Sequence, residues 1–156
     1  MDTPFIVISV ILFLLFLYYK TNPCKQENFM IMDLKNRLIK INEEFKNLDI
    51  REGSSSYTED KTIIYLCLRD EHGSPYSYNT LIYVVLHEIA HLLNKDNYGH
   101  TKEFYDIFNK LLCRATELGV YDPNEPHDNW YCGVDISNIE MPQCELNNNI
   151  STITLE

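Results

Sequence analysis

The sequence predicts an α+β domain behind an N-terminal transmembrane helix, and three observations point there. Residues 4–19 are apolar or aromatic at every position except Ser9. A β-branched and aromatic run at 62–68 lies between segments whose apolar residues recur with helical period. The 156-residue chain is 45% apolar, enough for one core and too much for full disorder. Charge narrows the function classes. Thirteen basic against 23 acidic residues give a formal charge of −10. Asp2 and Lys20 cancel within residues 1–20, so the rest of the chain carries all of it. A chain so acidic lacks the basic face that phosphate backbones require, and no nucleic-acid partner is expected.

Taken in order, residues 1–20 read as a membrane anchor. A helix over 4–19 would be about 24 Å long at 1.5 Å per residue, short for a span but completed by its flanks. Tyr18, Tyr19 and Lys20 form an interfacial end. A cleaved signal peptide would want a basic start and small residues at the exit. Met-Asp-Thr and Tyr-Tyr-Lys-Thr-Asn-Pro supply neither. Lys20 and Lys25 on the C-terminal flank place the domain on the cytoplasmic side, with the N-terminus outside. Residues 21–28 are a linker, 29–137 the domain and 138–156 a flexible, Asn-rich tail.

Within the domain, Met30, Leu34, Leu38, Ile41, Phe45 and Leu48 step by three and four, one helical stripe facing a core. Residues 51–61 hold Gly-Ser-Ser-Ser and read as a loop or hairpin turn, 62–68 as a strand, and 71–78 as a turn. A helix capped by Asn79 runs to about Asn94, apolar nearly all round and therefore buried. Thr101 caps a further helix whose face is Phe104, Ile107, Phe108, Leu111, Leu112 and Ala115, with Gly119 as its stop signal. Residues 121–133 are irregular. Five cysteines, an odd number with no CxxC pair, read as reduced thiols, in keeping with a cytoplasmic domain. The sequon Asn149-Ile150-Ser151 would matter only in a lumenal protein.

The buried helix is interrupted by His87-Glu88-Ile89-Ala90-His91. Ionisable groups in such a place are usually paired or bind a metal. Four residues apart, the two histidines share one helix face and can converge on a single Zn2+. Glu88 is placed to act as general base on a zinc-held water. A catalytic zinc takes three protein ligands. His100, after eight intervening residues from His91 and across a turn ending in Gly99, is the best third; Asp96, Glu103 and Asp106 are the acidic alternatives. His72 and His127 read as surface histidines. A second donor toward the oxyanion would be Tyr131 or Tyr98, although packing is the ordinary role of each among 11 tyrosines. A Cys132 thiolate on the zinc would keep such an enzyme latent. The strand at 62–68 would lie beside the helix with an edge open to an extended peptide.

The stretch HEIAHLLNKDNYGHTKEF resembles the zincin metallopeptidases of the WLM and SprT-like kind, which follow HExxH with a third histidine in a Gly-His-x-x-x-Phe context. Residues 67–70 (Cys-Leu-Arg-Asp), Asn79-Thr80-Leu81 and Tyr131-Cys132-Gly133 extend the likeness to small membrane-anchored metallopeptidase-like proteins of large DNA viruses. Together it covers roughly residues 62–135. The resemblance implies a minimal zincin-like domain, with the HExxH helix packed on a small sheet and further helices. It implies Zn2+ on His87, His91 and His100, Glu88 as base, and a peptide or protein substrate. The interval between His91 and His100 differs from that of metzincins and of most SprT-like enzymes. The basic or ubiquitin-related regions of DNA-repair members are missing, so a DNA–protein crosslink is not implied. The alternatives are an inactive zinc-binding zincin serving as a membrane-tethered structural or virion assembly protein, and a metal-free protein with a chance motif.

Overall fold

The computed structural model describes residues 8, 11–14, 28–94, 99–139, 142 and 144. Among them no helix is long and apolar enough to cross a membrane. This overturns the expectation of a single-pass membrane protein with its domain on the cytoplasmic side. Of the apolar segment, Ile8 and residues 11–14 are helical and exposed, and its remainder lies outside the described residues, as do 21–27 of the linker.

Helix α1 (Phe29–Ile41) starts where the Asn28 side chain accepts the Met30 amide at 2.9 Å. Its stripe of Met30, Leu34, Leu38 and Ile41 is buried. The stripe continues through Phe45 and Leu48, but the helix does not. Asn42 turns extended (φ −150°, ψ 128°), and its side chain caps a separate 3-10 turn, Glu43–Asn47. A side chain that can serve as a cap competes with helix continuation.

The residues at 51–61, expected as a loop or hairpin turn, hold the turn of a hairpin at 60–61 but also supply strand at 51–52 and 57–59. β1 (Asp49–Glu52), β2 (Tyr57–Glu59) and β3 (Ile63–Leu66) form a sheet in the order β1-β3-β2, with β1 parallel and β2 antiparallel to β3. Asp60 and Lys61, at φ 48° and 51°, are the central pair of the turn that the Thr62 amide closes on the Glu59 carbonyl, within the three-residue connection between β2 and β3. Positive φ at both central positions is what a tight hairpin of this hand requires.

Helix α2 (Tyr78–Leu93) is capped by Ser77, whose oxygen accepts the Thr80 amide, and not by Asn79. Asn79 is buried inside the first turn. Its amide donates to the Asp122 and Glu125 carbonyls, and its oxygen accepts from the Asp122 amide. With Thr80 accepting from the Asp128 amide, these bonds lace the irregular segment 121–128 onto the start of α2. Helix α3 (Lys102–Glu117) is capped by Thr101 and buries Phe104, Phe108, Leu111, Leu112 and Ala115. It ends at Gly119, whose φ of +64° is open to glycine at no steric cost.

Beyond it, β4 (Trp130–Tyr131) and β5 (Val134–Asp135) form a hairpin around Cys132 and Gly133, both at positive φ. A closed circuit ties this hairpin to the sheet. The Cys67 amide donates to Ser56 Oγ at 3.0 Å and Ser56 lies 2.6 Å from the Tyr131 hydroxyl. Tyr131 in turn donates to the Cys67 carbonyl at 2.7 Å. A disulfide between Cys67 and Cys132 clamps the same junction, and a second joins Cys113 to Cys144. In these four cysteines the bonds replace the expected reduced thiols, and they remove Cys132 as a free thiolate; Cys24 lies outside the described residues. Spacing along the chain did not reveal them, because the first pair is 65 residues apart.

The Cys67–Cys132 bridge closes a long loop, for which unfolded-state entropy gives an upper bound of about 4 kcal/mol. Thermal unfolding of Cys132→Ser, or of the unsubstituted chain in reductant, is expected at a lower midpoint than in the oxidised chain. An unchanged midpoint would show that the hydrogen-bond circuit suffices by itself.

Candidate metal centre

Helices α2 and α3 lie against each other, and the centre forms where the end of one meets the start of the other. Asn94 ends α2, and its side-chain amide lies 3.5 Å from the Thr101 hydroxyl that caps α3. The Lys61 ammonium, at the tip of the β2–β3 turn, donates to the Asn94 carbonyl. This clasp returns the chain so that His100 faces His87 and His91. Gly99 is not held at positive φ, and a Cβ there would meet nothing within 4 Å, so the return does not depend on a glycine.

The three imidazoles converge. His100 Nε2 lies 3.0 Å from His87 Nε2 and 3.1 Å from His91 Nε2. All three donor atoms fall within 4.8 Å of one another. One ring nitrogen carries either a proton or a lone pair, so His100 Nε2 cannot make full hydrogen bonds to both neighbours. Nitrogens bound at 2.0–2.1 Å to a tetrahedral ion stand about 3.3 Å apart, close to the spacing found. The cluster can therefore hold a metal ion.

Phe104, fully buried in the first turn of α3, floors the site. Its ring centroid is 4.4 Å from His91, 4.7 Å from His100 and 4.9 Å from His87. Burial, reinforced by the neighbouring His91 and His100, pushes His87 down to about 3. His91 is lowered by burial, by His100 and by Lys61. Neutral imidazole is the form that binds a metal.

Glu88 stands outside the cluster of donors and is 6% exposed. The Thr58 hydroxyl, on β2, lies 2.9 Å from Glu88 Oε2 and 3.0 Å from the Glu88 carbonyl oxygen. Burial raises the Glu88 carboxyl above the usual range, and the Thr58 hydrogen bond draws it partly back. Two cavities flank the histidines, of about 450 and 290 Å3, and His87, Glu88, His100 and Ser56 line both. A groove thus passes along the cluster with the carboxylate on its wall.

Other expected residues are placed differently. Tyr131 lines the larger cavity, but its single hydroxyl proton goes to the Cys67 carbonyl, and burial pushes its phenol up to about 12. Tyr98 and Asp96 lie outside the described residues. Glu103 and Asp106 are exposed on α3, away from the donor cluster. His72 is exposed beside Glu71, and His127 bonds the Tyr121 hydroxyl at 2.8 Å. β3 lies against the Glu88 helix as expected, together with β2, but it offers no edge, since β1 and β2 cover both its sides. Thr58 went unread in the sequence, where only the strand-prone pair Tyr57-Thr58 hinted at it.

The chain is similar to proteins of large DNA viruses. It is 44% identical over 88 residues to an uncharacterized protein of Invertebrate iridescent virus 6, covering 54% of this chain and 49% of that protein. It is 47% identical over 91 residues to one of Invertebrate iridescent virus 3, covering 58% of this chain and 57% of that protein. A third, from Acanthamoeba polyphaga mimivirus, is 32% identical over 118 residues, covering 67% of this chain and 57% of that protein. The chain thus spans about half the length of the relatives it matches. No family model matches the chain, and no solved structure matches it either.

Titration of the metal-free full chain with Zn2+ or Co2+ is expected to saturate at one equivalent. His100→Ala should weaken binding by more than about a hundredfold, beyond the 10–100-fold typical of a lost outer-shell partner. Phe104→Leu, which keeps an apolar floor but loses the shared ring, should weaken it by about tenfold. Full affinity in His100→Ala would remove that residue from the ligand set.

Proposed function

We propose that this chain is a zinc-dependent metallopeptidase built on a minimal zincin-like domain, with Zn2+ held by His87, His91 and His100. The observation that carries the reading is the meeting of three imidazoles beside a buried carboxylate that is not one of the donors. A purely structural site would have no use for Glu88 in that position, whereas hydrolysis needs a base there. When bound, zinc supplies Lewis acidity, polarising a peptide carbonyl and acidifying water.

The chain's own residues do the rest. Glu88 takes the proton of the attacking water and returns it to the leaving amine. Thr58 occupies Oε2 of that carboxylate, which leaves Oε1 to hold the proton in transit. The Thr58 hydroxyl thereby fixes the carboxylate's orientation and opposes the upward pull of burial, so the base stays ionised more readily. Phe104 holds the three rings in place from beneath. Peptide enters along the groove, with β2 as the strand that borders it. Tyr131 is not assigned a catalytic role, because its proton is already given to Cys67.

Two substitutions test this. Glu88→Gln is expected to keep one equivalent of zinc and lose peptide hydrolysis by about 10²–10⁴-fold, the usual worth of a general base. Hydrolysis at the unsubstituted rate in this variant would remove Glu88 as the base, and zinc binding without hydrolysis by the unsubstituted chain would leave only a zinc-binding scaffold protein. Thr58→Val should lower kcat about tenfold with little change in KM, the loss of one hydrogen bond to a charged group. Thr58→Ser, which keeps the hydroxyl, should restore most of the rate.

A further inference from the structure

The two sides of the groove differ in chemistry. The smaller cavity is bordered by Tyr57, Thr58 and Lys61, which bring hydroxyls and an ammonium. The larger one, between α2 and the β4–β5 hairpin, is walled by Tyr83, Val84, Val134, Ile136 and Ile139. At about 450 Å3 it falls in the range of about 300–1,000 Å3 that ligand pockets occupy.

The Ser56 and Tyr131 hydroxyls on its inner wall are already satisfied. Ser56 accepts from the Cys67 amide and pairs with Tyr131, and Tyr131 donates to the Cys67 carbonyl. A charged or amide side chain entering this space would give up water and find no free partner among them. An apolar side chain would lose nothing and bury its surface against five apolar walls. At the rim, Asp135 is exposed and accepts from the Ser137 amide at 2.9 Å, so its carboxylate repels acidic groups at the entrance.

From this we infer that the hairpin-side cavity is the specificity pocket of the site, taking one large apolar side chain (Leu, Ile, Met or Phe) next to the peptide bond that is cut. The inference rests on the peptidase reading and deepens it by naming the substrate class. The pocket shares His87, Glu88 and His100 with the metal centre, so a side chain seated there brings its own backbone to the candidate metal ligands. The hairpin wall is set by the Cys67–Cys132 bridge and the circuit at Tyr131, so the pocket is shaped before substrate arrives.

Three labelled decapeptides, identical except for a central Leu, Asp or Lys, test the pocket on the full zinc-loaded chain. Binding is read by fluorescence anisotropy with Glu88→Gln, and cleavage by mass spectrometry with the unsubstituted chain. The Leu peptide is expected to bind at least about tenfold tighter than the other two and to be cut beside its Leu. Ile136→Asp should abolish the discrimination. So should Val134→Asp, at a position 59% exposed where a charge does not disturb the core. Circular dichroism and zinc content report whether each variant is folded and loaded. Equal or absent binding of the three peptides, a preference for Lys, or a Leu preference unchanged in both variants overturns the pocket. If cleavage nevertheless occurs, the hydrolase reading survives that result. Selective Leu binding, lost in the variants but without any cleavage, upholds the pocket and removes the hydrolase.

Discussion

The centre depends on holding three imidazoles together at the edge of an apolar helix pair, with His100 within hydrogen-bonding distance of both His87 and His91. Neutral rings repel little and offer lone pairs, whereas protonated rings at this spacing would drive one another apart. Burial favours the neutral form at His87 and His91, most strongly at His87, which is driven down to about 3. Phe104 supplies the common floor. The remaining requirement is that α3 begin at the right place. Asn94, Thr101 and Lys61 meet that requirement by joining the end of one helix, the cap of the next and the tip of a hairpin.

A second constraint shapes the space around the centre. The backbone of Cys67 both begins and ends a hydrogen-bond circuit through Ser56 and Tyr131, and its side chain is bonded to Cys132. The Cys132 amide in addition donates to the Tyr76 hydroxyl at 2.8 Å. A two-stranded hairpin is marginal by itself in water. Here it gains its position from neighbours, and that position closes one side of the groove. The polar atoms used in this anchoring are unavailable to anything that enters, which makes that wall of the cavity apolar in effect although serine and tyrosine line it.

The carboxylate of Glu88 shows how the sheet contributes to the centre without supplying a donor to it. β2 lies on the outside of β3 and brings Thr58 against the helix that carries Glu88. The hydroxyl moderates a group whose burial would otherwise favour the protonated form. The tight turn that follows β2 puts Lys61 at the helix end, where its charge also lowers His91.

Local pattern was enough for the helices. Apolar residues at steps of three and four predict α1 and the buried face of α3, and Thr101 and Gly119 mark the ends of α3, because periodicity and capping act over one or two turns. The spacing of His87, Glu88 and His91 along one helix likewise follows from helix geometry, and the structure brings His100 to the same point. Where two nearby residues competed for one role, sequence could not choose. Ser77 caps α2 because Asn79 is taken up by Asp122 and Glu125, more than forty residues on. Asn42 splits one apolar stripe into a helix and a 3-10 turn, and the strands at 49–52 and 57–59 form only because β3 lies between them. The pairing of Cys67 with Cys132 and the commitment of the Tyr131 proton were likewise decided in three dimensions. Each depends on contacts between segments far apart in the chain, whose partners no local pattern names.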